Sequence, residues 1–199
     1  MFWNTFSLVY DFVENTFNGK VNRSIVNYVA NLIDSNDNVL ECACGTGIFS
    51  VKIAPCCKTL IATDFAEKML RKARKKCKDF SNVKFANADI TMLDYSDESF
   101  DKVLAANVIH IVEEPKMAMS ELWRVCKPGG KIIIPTYITH NIKSANFSIK
   151  FFNFLGAGFQ QMFNYESYKE FFNSMGYEVS NYYTASGRMP CCAAIIEKK

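Results

Sequence analysis

The chain has 199 residues, 49% hydrophobic and 22% charged, which suits one domain with a substantial core and excludes disorder or low complexity. Lys plus Arg is 23 against 20 Asp plus Glu, and the resulting charge of +3 demands no nucleic-acid partner. The longest unbroken apolar run, Cys191 to Ile196, is six residues, far short of a transmembrane segment.

In chain order, the apolar residues from Phe2 to Phe17 recur at helical spacing, and a second amphipathic helix is predicted over about 21–33. The turn cluster Ser35 to Asn38 leads into the short strand Val39-Leu40, which ends at Cys42-Ala43-Cys44-Gly45-Thr46-Gly47. A helix follows to Pro55, then a strand over Thr59 to Thr63 ending at Asp64, a helix over 66–78, and a strand near Val83 to Ala86 leading to Asp89. Strand Lys102 to Val108 precedes a helix over Pro115 to Cys126, which Lys127 to Gly130 closes before the strand Lys131 to Tyr137. Five strands alternating with helices predict a parallel sheet covered on both faces. The tail adds a helix (Glu166 to Met175) and two strands, Tyr177 to Tyr183 and Cys191 to Glu197, spaced to pair as an antiparallel hairpin.

The eight cysteines, at 42, 44, 56, 57, 77, 126, 191 and 192, form no C-x-x-C pair, and neither His110 nor His140 has a nearby cysteine partner. No metal site is predicted. The N-terminal residues have none of the marks of a secretory leader, so the expectation is a cytoplasmic protein with reduced, mostly buried thiols.

In an open α/β sheet ligands bind at the carboxyl ends of the strands, which singles out Glu41 to Gly47, Asp64, Asp89 and Asn107 to His110. Gly45 and Gly47 permit a tight turn and close backbone approach, and Asp64 stands 17 residues after Gly47, where a carboxylate can take two ribose hydroxyls. Glu41 would repel a pyrophosphate, and Ser50 occupies the third glycine position of a dinucleotide fingerprint, which argues against NAD. A phosphate-free adenosine ligand with a cationic end, S-adenosylmethionine, fits better.

The order VLECACGTG, ATDFAEKML, NADITMLDYSDESFDKVLAANVIHIV and ELWRVCKPGGKIIIPTY resembles the class I S-adenosylmethionine-dependent methyltransferases, in particular the small ubiquinone/menaquinone-biosynthesis-like branch. The match runs from about Val39 to Tyr137. It implies a Rossmann-like, doubly wound α/β sheet of seven strands with helices on both faces and a C-terminal antiparallel hairpin. It further implies that the Glu41 to Gly47 loop holds the methionine moiety, Asp64 the ribose hydroxyls and Asp89 the adenine amino group, with Phe65 and Ile90 beside the ring and Asn107 near the methionine part. Ala43 departs from the family, which often has glycine there.

Each assignment has a plainer rival: Glu41 as an ion-paired strand end, Asp64 as a cap for the helix near Ala66, Asp89 as a turn residue, Asn107 as a loop hydrogen bonder. His110, just beyond the fourth strand, is the candidate general base, facing where an acceptor would enter; the rival is a structural histidine. Tyr10 and Tyr137 are candidates for the acceptor pocket. The run Lys68 to Lys78 holds seven basic residues and no acid, either a solvated face or a contact for RNA or anionic lipid. The aromatic stretch Asn146 to Phe163 reads as a buried helix, an apolar cover or a membrane contact.

The expected organisation is a single methyltransferase domain: helices over 1–35, a cofactor-binding core over 36–137, an acceptor cover over 138–165, and a helix and hairpin over 166–199. The expected reaction is methyl transfer to a small-molecule acceptor with no nucleic-acid partner. The alternatives are a membrane-associated lipid or quinone acceptor and a noncatalytic S-adenosylmethionine-binding module.

Overall fold

The computed structural model describes residues 18–139 and 162–199. Phe2 to Phe17 with Tyr10, His140, and nearly all of the aromatic stretch lie outside the described residues. Residues 18–30 form helix α1. There follow β1 (Asn38–Cys42), α2 (Ser50–Ile53), a 3-10 turn (Ala54–Cys56), β2 (Thr59–Asp64), α3 (Glu67–Lys76), β3 (Val83–Asn87), β4 (Phe100–Ala105), α4 (Pro115–Val125) and β5 (Cys126–Tyr137). The chain closes with helix α5 (Tyr165–Ser174) and strands β6 (Val179–Ala185) and β7 (Cys191–Glu197).

The seven strands form one sheet in the order β3-β2-β1-β4-β5-β7-β6. The first five are mutually parallel, and β7 is antiparallel to both β5 and β6. The predicted hairpin therefore forms, with its second strand inserted next to β5. Alternation along the strands divides the core in two. Leu40, Val103, Ile132, Ile134 and Ala194 pack with α4 and α5 on one face. Val39, Leu104, Ile133 and Ile195 pack with α1, α2 and α3 on the other. Because β1 sits between β2 and β4, the strand order reverses there, and a crevice opens at its carboxyl end.

Several predicted boundaries move: β4, expected over Lys102 to Val108, spans Phe100–Ala105, and β6, expected over Tyr177 to Tyr183, spans Val179–Ala185. The helix after the glycine loop is a single turn, since Pro55 lacks the N–H a longer helix would use and the chain tightens into the 3-10 turn. Lys127 to Gly130, expected as a turn, belongs to β5. Its backbone finds partners there: the Gly129 N–H donates to the Lys198 carbonyl, and the Lys198 N–H donates to the Gly130 carbonyl at 3.0 Å. All eight cysteines are free thiols, and every one except Cys56 is buried.

Candidate functional site

The loop leaving β1 gathers three residues in the left-handed region of backbone space. Ala43, Gly45 and Gly47 all have positive φ, at 53°, 55° and 81°. A non-glycine residue in this region costs about 1–2 kcal/mol, so Ala43 holds a conformation that glycine adopts freely. The loop is pinned by the Cys44 N–H donating to the Thr63 carbonyl at 2.8 Å. A side chain at Gly45 would meet nothing within 4 Å, which leaves the backbone open to a ligand. Gly47 differs from expectation. It does not line the cavity, and a Cβ there would meet Ala73 of α3 at 3.0 Å. Its role is to let the loop lie on α3.

Asp64, 9% exposed, ends β2 beneath this loop. Its Oδ2 accepts from the Gly45 N–H and its Oδ1 from the Ala66 N–H, both at 2.8 Å. It thus ties the glycine loop to the entry of α3, and each oxygen keeps a further lone pair for a ligand hydroxyl. Burial raises its pKa, against the lowering by those two N–H groups. Glu41, 1% exposed, accepts from Ser50 Oγ at 2.6 Å. Desolvation, with the Asp64 charge adding to it, pushes its pKa up to about 8 despite the Ser50 hydrogen bond.

A cavity of about 500 Å3 opens over these residues, in the range of small-molecule sites. Glu41, Ala43, Gly45, Asp64, Phe65, Asp89, Ile90, Asn107 and Tyr137 all line it. Asp89 is also a turn residue, its Oδ1 accepting from the Thr91 N–H at 2.8 Å and the Thr91 hydroxyl at 2.7 Å. Phe65, expected beside a ring, stands 78% exposed because α3 begins only at Glu67. Asn107 has φ 52°, and its Oδ1 is buried with no hydrogen-bond partner among the described residues. A buried acceptor of that kind is costly unless a ligand donor reaches it.

His110 does not stand where the sequence placed it. It is 4% exposed, is not part of the cavity lining, and burial drives its pKa down to about 4. The reason is a tight turn after β4. The N–H groups of Ile111 and Val112 both donate to the Val108 carbonyl, at 2.9 and 3.2 Å. This presents Val108, Ile111 and Val112 to the cavity and sends Ile109 and His110 inward.

Sequence reasoning missed Asn22, whose Oδ1 accepts from the Tyr137 hydroxyl at 2.7 Å; both residues line the cavity. The available signal was an asparagine beside the buried stripe Val21, Ile25, Val26 and Val29 of α1, where a polar group needs a reason. Ile25, Val26, Ile48, Phe49, Ile111 and Val112 supply an apolar lining, while Glu113 and Glu114 add carboxylates at the rim. Among the described lining residues five are carboxylates and none is Lys, Arg or His, a poor setting for a phosphate-bearing ligand. No three His, Cys, Asp or Glu side chains gather as a metal set among the described residues, and no helix there is long and apolar enough to cross a membrane.

Residues 40–134, which contain the glycine loop, Asp64, Asp89 and Asn107, match the family model of a methyltransferase domain. That match spans just under half of the chain and likens its central segment to the methyltransferase-domain family. It is 37% identical over 105 residues to a demethylmenaquinone methyltransferase of Clavibacter sepedonicus, a match covering 53% of this chain and 43% of that one. It is 33% identical over 141 residues to a phosphatidylethanolamine N-methyltransferase of Cereibacter sphaeroides, covering 67% of this chain and 65% of the relative. The chain spans about half the length of the quinone-type curated relatives it matches. The fold of this chain is shared with a SAM-dependent methyltransferase of Thermotoga maritima. That likeness has a TM-score of 0.77 at 20% identity, covering 100% of this chain and 99% of the other. Magnesium protoporphyrin IX methyltransferase of Synechocystis, solved with bound SAH, matches at a TM-score of 0.66 and 18% identity, covering 89% of this chain and 82% of that one.

Proposed function

We propose that the protein transfers the methyl group of S-adenosylmethionine to a small-molecule acceptor with an apolar body. The observation that carries this reading is the pairing, in one cavity, of buried Glu41 with Asp64 under a strained glycine loop, with no basic residue among the described lining. The donor set suits the cofactor: carboxylates for an ammonium and a ribose diol, an unpartnered Asn107 Oδ1, and no cation seeking a phosphate.

When bound, S-adenosylmethionine supplies a methyl group already activated by the sulfonium charge. Glu41 and the 43–47 loop would hold the methionine part, with Asn107 accepting a hydrogen bond from it. Asp64 would take the ribose hydroxyls, and Phe65, Asp89 and Ile90 would border the adenine. The remaining task of the chain is to align the acceptor and keep water out, which proximity and an apolar lining achieve. Ile25, Val26, Ile111 and Val112 provide that lining, and Tyr137, oriented by Asn22, would offer the acceptor a polar contact. His110 is not placed to take a proton from an acceptor in the cavity, so we assign it a structural role. Residues 138–165 would serve as the acceptor cover, and the free, mostly buried thiols suit a cytoplasmic setting.

A lipid or quinone acceptor is the second reading, favoured by the apolar lining and by relatives named for demethylmenaquinone and phosphatidylethanolamine. Titration calorimetry should show binding of S-adenosylmethionine and S-adenosylhomocysteine but not NAD. A transfer assay over hydroquinone, phenol, amine, thiol and phospholipid acceptors, read by product mass, should find one methylated class. Cofactor binding with no turnover on any class would instead indicate a noncatalytic binding module, and NAD binding without S-adenosylmethionine binding would end the proposal.

Asp64→Ala separates its two roles. Losing a charged acceptor should weaken cofactor binding by about 1.5–3 kcal/mol, and stranding the Gly45 and Ala66 N–H groups should lower stability by about 1–3 kcal/mol. Unchanged affinity in a variant that still melts cooperatively would remove Asp64 from the ribose site.

A further inference from the structure

The segment ELWRVCKPGG contributes no residue to the cavity lining, so its charged members need another explanation. They find it in the connection from β3 to β4. The chain leaves β3 at the sheet edge, passes β2 and β1 to reach β4, and does so over residues 88–99 without a helix. A crossover between parallel strands usually includes a helix, which satisfies its own backbone groups. Here several of those groups take partners from α4.

Arg124 and Glu121, three residues apart on one face of α4, supply them. Arg124 Nη2 donates to the Leu93 carbonyl at 2.9 Å and Nη1 to the Tyr95 carbonyl at 2.7 Å. Glu121 Oε2 accepts from the Leu93 N–H at 2.7 Å. The two side chains also hold each other, Nε donating to Oε1 at 2.7 Å and Nη2 to Oε2 at 2.8 Å. With Nη1 donating to Asp97 at 2.7 Å as well, all five N–H groups of the guanidinium are engaged. The side chains are only 29% and 19% exposed, and the clamp fixes backbone as well as charge.

What it fixes is one wall of the cavity. Asp89, Ile90 and Thr91 line that wall, in a turn closed by the Met92 N–H donating to the Asp89 carbonyl at 3.1 Å. Leu93, the next residue, is held at both its N–H and its carbonyl. On the other side of the turn the Ala88 N–H reaches the Asp64 carbonyl only at 3.4 Å. The firmer anchor is therefore Leu93. Asp89 Oδ1 is taken by the Thr91 N–H and hydroxyl, so Oδ2 is the atom it can offer a ligand donor.

We propose that Arg124, acting through Glu121 and Leu93, is a positioning residue for the 89–91 turn and sets the selectivity of the cavity for a 6-aminopurine. The inference rests on the cofactor reading above, in which Asp89 borders the adenine. Arg124 itself does not line the cavity. It keeps the Asp89 carboxylate at one height, where an amino group can donate to it and a ring carbonyl is repelled.

The test is calorimetry with S-adenosylhomocysteine and with S-inosylhomocysteine, which carries a carbonyl in place of the 6-amino group. Wild-type protein should prefer the first by about tenfold or more. Arg124→Lys keeps a cation beside Glu121 but cannot span both backbone carbonyls and both carboxylate oxygens. It should reduce the preference to about threefold or less and speed hydrogen exchange of the Thr91 and Met92 amides. Glu121→Ala, which removes the partner of the Leu93 N–H, should do the same and serves if the lysine variant folds poorly. Lys198 is the control: it donates to the Trp123 and Cys126 carbonyls at the same end of α4, at 3.0 and 2.9 Å. Lys198→Met should lower the melting temperature and leave the preference intact. A preference kept in the Arg124 and Glu121 variants, or lost equally in Lys198→Met, would overturn the proposal, as would equal binding of both ligands by the wild type. Wild-type protein that binds neither ligand would instead end the cofactor reading, and this inference with it.

Discussion

Gly47→Val should be the most damaging single change in the glycine loop, and it should act on folding before it acts on binding. The residue sits at φ 81°, where a β-branched side chain is strained, and its Cβ would lie 3.0 Å from both Ala73 Cα and Ala73 Cβ. Left-handed strain of about 1–2 kcal/mol adds to overpacking of about 1–3 kcal/mol, and helix backbone cannot step aside as a flexible side chain would. A fall in melting temperature of roughly 5–15 °C is expected for a chain of this size. Gly47→Ala should lose about half as much. Wild-type melting behaviour for the valine variant would show that the loop is not seated on α3 as described.

Glu41→Gln should stabilise the ligand-free protein and weaken cofactor binding at once. Burial raises this carboxyl to about 8 from its ordinary 4.5. Between those values the folded protein retains a proton that the unfolded chain has released, so stability falls as pH rises through the window. The full penalty, reached above pH 8, is roughly 3–5 kcal/mol. Glutamine carries no such penalty and can still accept from Ser50 Oγ. The melting-temperature advantage of the variant should therefore be small at pH 5 and grow to roughly 6 °C or more at pH 8.5. A cation beside Glu41 favours its ionised form, so cofactor binding at pH 7 should release a proton, detectable as a buffer-dependent calorimetric heat that the variant lacks. An advantage that does not change with pH would mean that Glu41 is ionised and solvated throughout.

The fold was legible because each strand of the parallel half carries its own punctuation. Gly45 and Gly47 end β1, Asp64 ends β2, and β7 is an uninterrupted apolar run whose predicted limits, Cys191 to Glu197, are those observed. Polar placement was less legible. The sequence shows that His110 follows β4, but the facing of its side chain depends on whether the chain turns at Val108, and that turn rests on two backbone hydrogen bonds with no glycine or proline to announce it. Lys127 to Gly130 misled in the opposite sense. Proline and glycine there read as a turn, yet tertiary pairing with Lys198 keeps the segment in β5. Asn22 was hidden for a third reason: its partner Tyr137 lies 115 residues away, a separation no local pattern encodes.

The placement of β7 between β5 and β6 affects how the protein is made. The five parallel strands emerge from the ribosome first, and their shared core can collapse while synthesis continues. Until residues 191–197 appear, β5 presents an unpaired edge, and β6, already synthesised, has no neighbour to join. The nascent chain therefore carries an exposed pairing edge until β7 is made, a natural point for a chaperone to engage it. A polypeptide truncated just before Cys191 should therefore aggregate, with β5 and β6 both left unpaired.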